Sequence, residues 1–286
     1  MSFRFKIPTL SVCFKWLLLG FIISLPLLSG CNFSGVTSSD KTPPTLNQIK
    51  QRGKLIAGVK FDSKPFGYLD NDGQVKGFDV DLIREINRRV FGPTAKVSFQ
   101  QVLSSTRIIA VNSGTVDIVA ATMTITPERA EVIHFSNEYF RATQQVMVPS
   151  TSKAKKLTDL ATLRILYVLG STSEKNIRKV LPQAKYVGFK TAVDAFSALK
   201  AGRGDALTTD DTILAGFLAD SCGYRLLPER LSSEPYGLGF RKDENSTASK
   251  SFIEAVNKAI AEIKADGTLK KIEQRWMSLD QQNHCP

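Results

Sequence analysis

Short apolar runs alternate with amphipathic stretches over most of this 286-residue chain. That alternation predicts an α/β fold and argues against a sandwich or a helix bundle, because strand and helix periods recur in turn and not in separate blocks. Lys54-Leu-Ile-Ala-Gly-Val59 reads as a short buried strand. Residues 77–90 follow as an amphipathic helix, with Val80, Ile83, Ile86 and Val90 at three- and four-residue steps and acids in the first turn. Strands are expected over 97–101, 118–121 and 144–148, with a short helix over 107–113. A second series runs strand 164–168, helix 174–181, strand 185–189, helix 192–200, strand 205–208 and helix 212–219. The chain then returns through a strand over 236–240 to helices over 248–265 and 268–277. The two halves share a pattern. Val111-Asn-Ser-Gly114-Thr-Val-Asp117 and Leu199-Lys-Ala-Gly202-Arg-Gly-Asp205 each put a glycine after a helix and an acid three residues on. An apolar strand with a polar end follows in both, closing on Thr122 and Thr124 in one half and on Thr209 and Asp210 in the other. Open α/β sheets bind ligands at such strand carboxyl ends.

The first thirty residues carry Arg4, Lys6 and Lys15, no acid, and an apolar stretch over 16–28, which reads as a secretory signal. It closes on Leu28-Ser-Gly-Cys31, which resembles the lipobox of bacterial lipoproteins, where the cysteine is diacylated and becomes the new N-terminus. An ordinary cleaved signal and an uncleaved anchor are the alternatives, although an apolar run this short spans a bilayer poorly. Residues 31–45 are polar and rich in Pro and Ser, and are expected to form a flexible tether. Of four cysteines, Cys13 leaves with the signal and Cys31 takes lipid, so Cys222 and Cys285 remain in an oxidising compartment. A disulfide between them is the economical inference, and two unpaired thiols are the alternative.

Loss of the three signal cations lowers the formal charge from +11 to +8, with 35 basic residues against 27 acidic. No Lys/Arg run is long enough for a nucleic-acid stripe, and the cations alternate with acids on the expected helix faces. Nucleic acid is therefore not an expected partner. The remaining ordered sequence, about 240 residues, is long enough for one large core or two smaller ones.

Thr122-Met-Thr-Ile-Thr-Pro-Glu-Arg129 stands directly behind the apolar run 116–121 and gathers a strand end, a row of hydroxyls and a helix start. Thr126 reads as an N-cap and Pro127 as the first helical residue, since proline's missing N–H costs nothing there. Arg129 then falls in the first turn, where free N–H groups disfavour a cation, so a bound carboxylate is expected beside it. Gly170-Ser-Thr-Ser-Glu174 follows another strand, and Ser171 with Glu174 is expected to form a capping box, either as a plain cap or as a second anion-accepting helix start. Asp210 either caps the helix after it or meets an ammonium group. Lys60 and Ser104-Ser-Thr-Arg107 put further cations and hydroxyls at strand-to-loop junctions, against the alternative of a solvated face. Phe66 and Tyr68 read as core ahead of a stacking platform. Catalytic constellations are lacking: the two histidines, His134 and His284, have no metal-site spacing, and no dinucleotide fingerprint, phosphate loop or nucleophile elbow is present. No cofactor, metal or catalytic residue is expected.

Taken in order, Gly77-Phe-Asp-Val-Asp-Leu82, residues 107–117, Thr122 to Arg129 with Phe135-Ser136, Gly170-Ser-Thr172, residues 205–211 and Pro235-Tyr-Gly237 resemble the polar amino-acid-binding proteins of bacterial ABC importers. The resemblance covers residues 46–277. It implies a periplasmic-binding-protein-like α/β fold of two lobes joined by two crossover strands, about 46–141 with 236–286 and about 142–235, hinged around 140–144 and 232–236. It further implies that Arg129 grips a ligand's α-carboxylate with Thr124 and Ser171, while Asp210 meets its α-ammonium. Thr122 and Thr172 join that ligand set. Members that take glutamate or aspartate have a basic residue matching Lys60 and a Ser-x-x-Arg matching Ser104 and Arg107, which implies an acidic ligand. Lysine lacks arginine's planar fork, so glutamate and aspartate stay undivided. Cys222 and Cys285 also resemble the disulfide that ties the second lobe to the C-terminal tail in ionotropic glutamate receptor binding domains. Ile109 and Asn87 depart from the usual proline and small residue. The implied protein is a monomer at the outer face of a membrane, held by lipidated Cys31, handing a free L-amino acid to a permease with its ATPase. Secreted dehydratases of cyclic amino or keto acids share this fold, and their buried acid or base would fall on Asp62, Asp211 or Lys60. A sensory module is the other alternative.

Overall fold

The structure is a computed structural model that describes residues 44–242 and 247–277. The expected signal and tether up to residue 43, lipidated Cys31, and Cys285 and His284 lie outside the described residues. Helix α1 (Leu46–Arg52) opens the fold. The sequence reading overlooked it, although Thr45-Leu-Asn-Gln48 is a capping box: Thr45 accepts from Gln48 N (3.1 Å) and Gln48 reaches back to Thr45 N (2.8 Å).

Strand β1 (Lys54–Val59) follows, then the short strands β2 (Asp62–Ser63), β3 (Gly67–Leu69) and β4 (Val75–Lys76), which form a small antiparallel sheet of their own. Helix α2 (Phe78–Phe91) buries Phe78, Leu82, Ile83 and Ile86 on one face. No side chain caps it. Its first amides bond to Pro65 O (3.0 Å) and Phe66 O (2.9 Å). Gly77 precedes it at φ 134°, where a Cβ would come within 2.2 Å of Phe66 O, so only glycine allows this close approach. Strand β5 (Lys96–Gln101), helix α3 (Arg107–Asn112), strand β6 (Ile118–Ala120), the single-turn helix α4 (Pro127–Ala130) and strand β7 (Ile133–Phe135) complete this part.

Strand β8 (Phe140–Pro149) leads away into a second series: β9 (Arg164–Val168), α5 (Ser173–Val180), β10 (Lys185–Phe189), α6 (Ala192–Lys200), β11 (Ala206–Asp210), α7 (Asp211–Asp220) and β12 (Tyr224–Leu226). Strand β13 (Ser233–Tyr236) brings the chain back to β14 (Gly239–Arg241), α8 (Thr247–Ala265) and α9 (Thr268–Met277).

Two sheets result. One has the order β5-β1-β6-β14-β7, the other β10-β9-β11-β8-β12. Each has a parallel centre, β1 between β5 and β6 and β9 between β10 and β11, with antiparallel strands alongside. These are the two α/β lobes, and β8 and β13 are the strands that cross between them. The crossing strands pair with each other, Phe140 to Thr143 against Tyr236 to Ser233, before β8 enters the second sheet. The single strand expected over 236–240 is corrected: the chain leaves one ladder at Tyr236 and joins another at Gly239, because β13 pairs with β8 and β14 with β6 and β7. The shared sequence pattern has a shared geometry. Asp117 takes Ile56 N (2.8 Å) and Asp205 takes Arg164 N (2.8 Å), each pinning its strand to a parallel neighbour, and Gly114 and Gly202 before them are both left-handed.

The largest core lies between the first sheet, α2 and α8. Beneath the crossing strands it becomes aromatic: Phe66 meets Phe140 edge-on at 5.1 Å and Tyr236 at 5.3 Å. Phe66 is thus core, as expected, while half-buried Tyr68 packs edge-on against Trp276 at 6.0 Å. Ile109 points to solvent on α3, and Asn87 is buried and bonded to Ala95 O (2.9 Å).

Candidate ligand-binding cleft

The cleft between the lobes takes Lys60, Ser63, Ser104, Arg107, Thr122 and Thr124 from the first lobe. From the second it takes Val168, Ser171, Thr172, Ala192, Thr209, Asp210 and Ile213. Eight of the nine expected ligand residues therefore meet at one place, brought there by the ends of β1, β5, β6, β9 and β11, the loops after them and the start of α3. Arg129 is not among those lining residues but adjoins them, bonded to the backbone of Thr124 and of Gly170.

Lys60 follows β1 directly and is 2% exposed, with Nζ 3.7 Å from Asp62 Oδ1. Burial pushes its amine down to about 8, against the opposing pull of Asp62. Asp62 also accepts Ala192 N (3.1 Å), so it reaches across the cleft to the start of α6. Arg107 opens α3 and is equally buried. Its Nη1 donates to Thr122 O (3.0 Å) and Ala121 O, whereas Nε has no partner. Burial first, and the charge of Arg129 second, push its guanidinium down to about 9, which leaves it cationic at neutral pH.

Thr122 has φ 47°, a left-handed backbone that β-branched residues rarely adopt. It is held from both sides, since its N–H donates to Asp79 Oδ2 (3.1 Å) and its carbonyl accepts Arg107. Asp79 is fully buried in the first turn of α2, also accepts Tyr139 Oη (2.9 Å), and is lifted to about 7 by burial. Thr124 donates through Oγ1 to Glu234 Oε2 (2.6 Å).

The Thr126 cap and Pro127 start of α4 are present, with Arg129 N bonded to Thr126 Oγ1 (3.2 Å). The expected electrostatic conflict at Arg129 is corrected. Helix α4 is one turn long and has little dipole, and the guanidinium folds back onto carbonyls, Thr124 O (2.8 Å) in the first lobe and Gly170 O (3.1 Å) in the second. Burial lowers its pKa, and the charges of Glu234, Asp210 and Glu128 oppose that shift.

The expected capping box of Ser171 and Glu174 is also corrected. Left-handed Gly170 (φ 80°) curls the chain so that Ser171 Oγ donates back to Val168 O (2.7 Å), α5 starts at Ser173, and Glu174 pairs with Arg178 (2.8 Å). Asp210 occupies the N-cap position of α7 without capping it. Its Oδ2 accepts Tyr236 Oη, and burial lifts the carboxyl to about 7. Asp211, by contrast, is not in the cleft lining: it binds Thr143 and Arg230. Of the three acid–base candidates, Lys60 and Asp62 are thereby paired with each other and Asp211 is structural.

Sequence reasoning missed Glu234 altogether. It also passed over Asp79 as a site residue, although its motif was in view. Among the described residues no cluster of three or more His, Cys, Asp or Glu is arranged to hold a metal, and no helix is long and apolar enough to cross a membrane.

A two-lobed α/β body whose cleft sets carboxylates opposite guanidinium and hydroxyl groups defines a receptor for a small amphoteric solute. The chain belongs to the bacterial extracellular solute-binding proteins, family 3, whose model matches residues 55–279. Proteins of that family bind free amino acids and deliver them to ABC permeases, outside the cell or in the periplasm. The chain is 36% identical over 264 residues to the ABC transporter glutamine-binding protein GlnH of Bacillus subtilis (strain 168), covering 91% of this chain and 95% of that one. It is 40% identical over 242 residues to the glutamine-binding protein of Geobacillus stearothermophilus, covering 80% and 92%. Its structure is similar to that of an ancestral amino-acid-binding protein, AncCDT-1, a precursor of cyclohexadienyl dehydratase, with a TM-score of 0.73, 32% identity and coverage of 81% of this chain and 99% of that one.

Proposed function

We propose that this protein captures a polar L-amino acid between its lobes for an ABC importer, with L-glutamine the preferred ligand. The arrangement that carries the reading is the charge balance of the cleft. Lys60, Arg107 and Arg129 stand in the field of Asp62, Asp210 and Glu234, so the three cations are already met by three carboxylates. A ligand with a neutral side chain adds no net charge to that set, and burying an unbalanced charge is costly. In this reading Arg129 with Ser171 holds the α-carboxylate, Asp210 faces the α-ammonium, and Arg107 with Lys60 and Ser104 meets the side-chain carbonyl. Two relatives named for glutamine support it.

An acidic ligand is the second reading, favoured by the unpartnered Nε of Arg107 and by the two buried cations at that end. Calorimetric titration of the mature protein at pH 7.5 with the twenty L-amino acids separates them. Glutamine is expected to bind at least about tenfold tighter than glutamate, a difference of about 1.4 kcal/mol. The reverse order selects the acidic reading, and silence to all twenty removes both. Arg107→Ala is expected to weaken glutamine while sparing ligands without a side-chain carbonyl.

The protein is placed in this reading as a monomer at the cell-envelope face of a membrane, anchored through lipidated Cys31, with residues 31–45 as tether. Its lobes are residues 46–141 with 236–286 and residues 142–235, and Cys222 is paired with Cys285. Cys31→Ser is expected to release it from the membrane fraction. The relatives named above are binding proteins, which supports binding without turnover, so incubation with arogenate or prephenate is expected to leave both unchanged.

A further inference from the structure

Glu234 lies on β13, one of the two crossing strands, and is 2% exposed. Its carboxylate gathers donors from three parts of the fold. Oε2 accepts Thr124 Oγ1 (2.6 Å) from the first lobe and Thr172 Oγ1 (2.8 Å) from the second. Oε1 accepts Asn176 Nδ2 (3.0 Å), one turn into α5, and Ser232 Oγ. The hub is itself fixed from behind. Asn176 also donates to Gln144 Oε1 (3.0 Å), whose amide nitrogen donates to Ser173 O (3.0 Å) and Thr208 Oγ1 (2.8 Å).

A hydroxyl has one proton to give, and a carboxylate only accepts. With their protons directed at the same oxygen of Glu234, Thr124 and Thr172 turn lone pairs toward the cleft that both of them line. A wall of lone pairs beside Asp210 suits a cation and repels a carboxylate. We propose that Glu234 is a positioning residue that takes one proton from a threonine of each lobe, thereby setting an acceptor wall for the ligand's ammonium group and fastening the two lobes at that wall. The ammonium assignment rests on the reading of the cleft as an amino-acid site, whereas the fastening does not. Recognition and closure share one carboxylate: Thr172 and Asn176 tie Glu234 to the second lobe, and Thr124 ties it to the first, so the wall is complete when the Thr124 contact is made. Arg129, whose guanidinium spans Thr124 O and Gly170 O, also lies in the field of Glu234.

Glu234→Gln tests this at nearly constant shape. Its amide nitrogen must face either the two threonine hydroxyls, reversing their protons, or Asn176, placing donor against donor. L-glutamine and glutaramate, the same molecule without its α-ammonium, are the probes, read by calorimetry and by competition. Glu234→Gln and Thr172→Val are each expected to weaken glutamine about tenfold or more, as for the loss of one hydrogen bond to a charged group. Glutaramate should change less than about threefold, and the double variant should fall little below either single one, since both remove the same arrangement. Equal losses for the two probes would reduce Glu234 to scaffold, and unchanged glutamine binding or additive losses would overturn the proposal. A second arm needs no ligand. X-ray scattering of the protein in buffer should show Glu234→Gln more expanded than the parent, and identical profiles would refute the fastening. If the parent binds neither glutamine nor any other amino acid, the functional reading falls while this arm still decides the fastening.

Discussion

Asp210 sits against Tyr236 with Glu234, Asp211 and Arg107 in its field, and burial holds its carboxyl near 7. If this carboxylate meets the ligand's ammonium, protonating it removes the attraction. Affinity should therefore fall about tenfold from pH 8 to pH 6, and Asp210→Asn should bind weakly with a flat profile; calorimetry across that range checks both. Stability has a related signature. Asp79 and Asp210 have raised folded-state values, so the native state holds protons that the unfolded chain releases above about 4. Their contribution is complete below the unfolded value and is lost as pH rises through about 7. Urea titrations should show Asp79→Asn losing less stability than the parent between pH 4 and 7.5, with Tyr139 still able to bond to the amide. Much of the cleft at this scale was legible in the sequence, because Lys60 and Asp210 stand at strand ends, Thr124 in the loop after an apolar strand and Arg107 at a helix start. Glu234 was not. An acid in Ser232-Ser-Glu-Pro-Tyr236 reads as solvated, and only the pairing of β13 with β8 buries it.

Helix α4 shows how little of an element's role its length predicts. Four residues cannot sustain a helix in isolation, yet Thr126, Pro127 and the carbonyl contacts of Arg129 hold this turn in place. Thr126→Ala should cost about 1 kcal/mol in a denaturant titration, and it should also weaken ligand binding because Arg129 loses its backbone support. An unchanged affinity would mean that the guanidinium is positioned by Thr124 and Gly170 alone. Periodicity found the long elements well: β1, β9, β10 and α6 run as expected, and α2 and α8 differ by a residue or two. What periodicity could not find was set by partners distant in the chain. Strand β8 begins four residues earlier than expected because β13 extends the pairing, and β2, β3 and β4 are too short to carry a period.

At the scale of the molecule, Gly170 brings the second lobe into close approach with the first. A Cβ there would lie 2.6 Å from Ser105 Cα and 2.7 Å from Ser105 N, and its φ of 80° adds strain of roughly 1–2 kcal/mol for any other residue. Separation of the lobes relieves the clash, so Gly170→Ala should lose affinity by far more than that local cost implies, with only a modest fall in melting temperature. The parent should gain about 2.7 kcal/mol of stability when its ligand is present at one hundred times Kd, measured by thermal unfolding, and Gly170→Ala should gain much less at the same concentration. The crossing strands carry a last consequence. Because Phe140 to Thr143 and Ser233 to Tyr236 are paired in register, the two connections form one ribbon and not two independent cords. A ribbon flexes across its flat side far more readily than within its plane, so the halves should swing about a single axis, with sliding suppressed, and each closure should return the same groups to the same places.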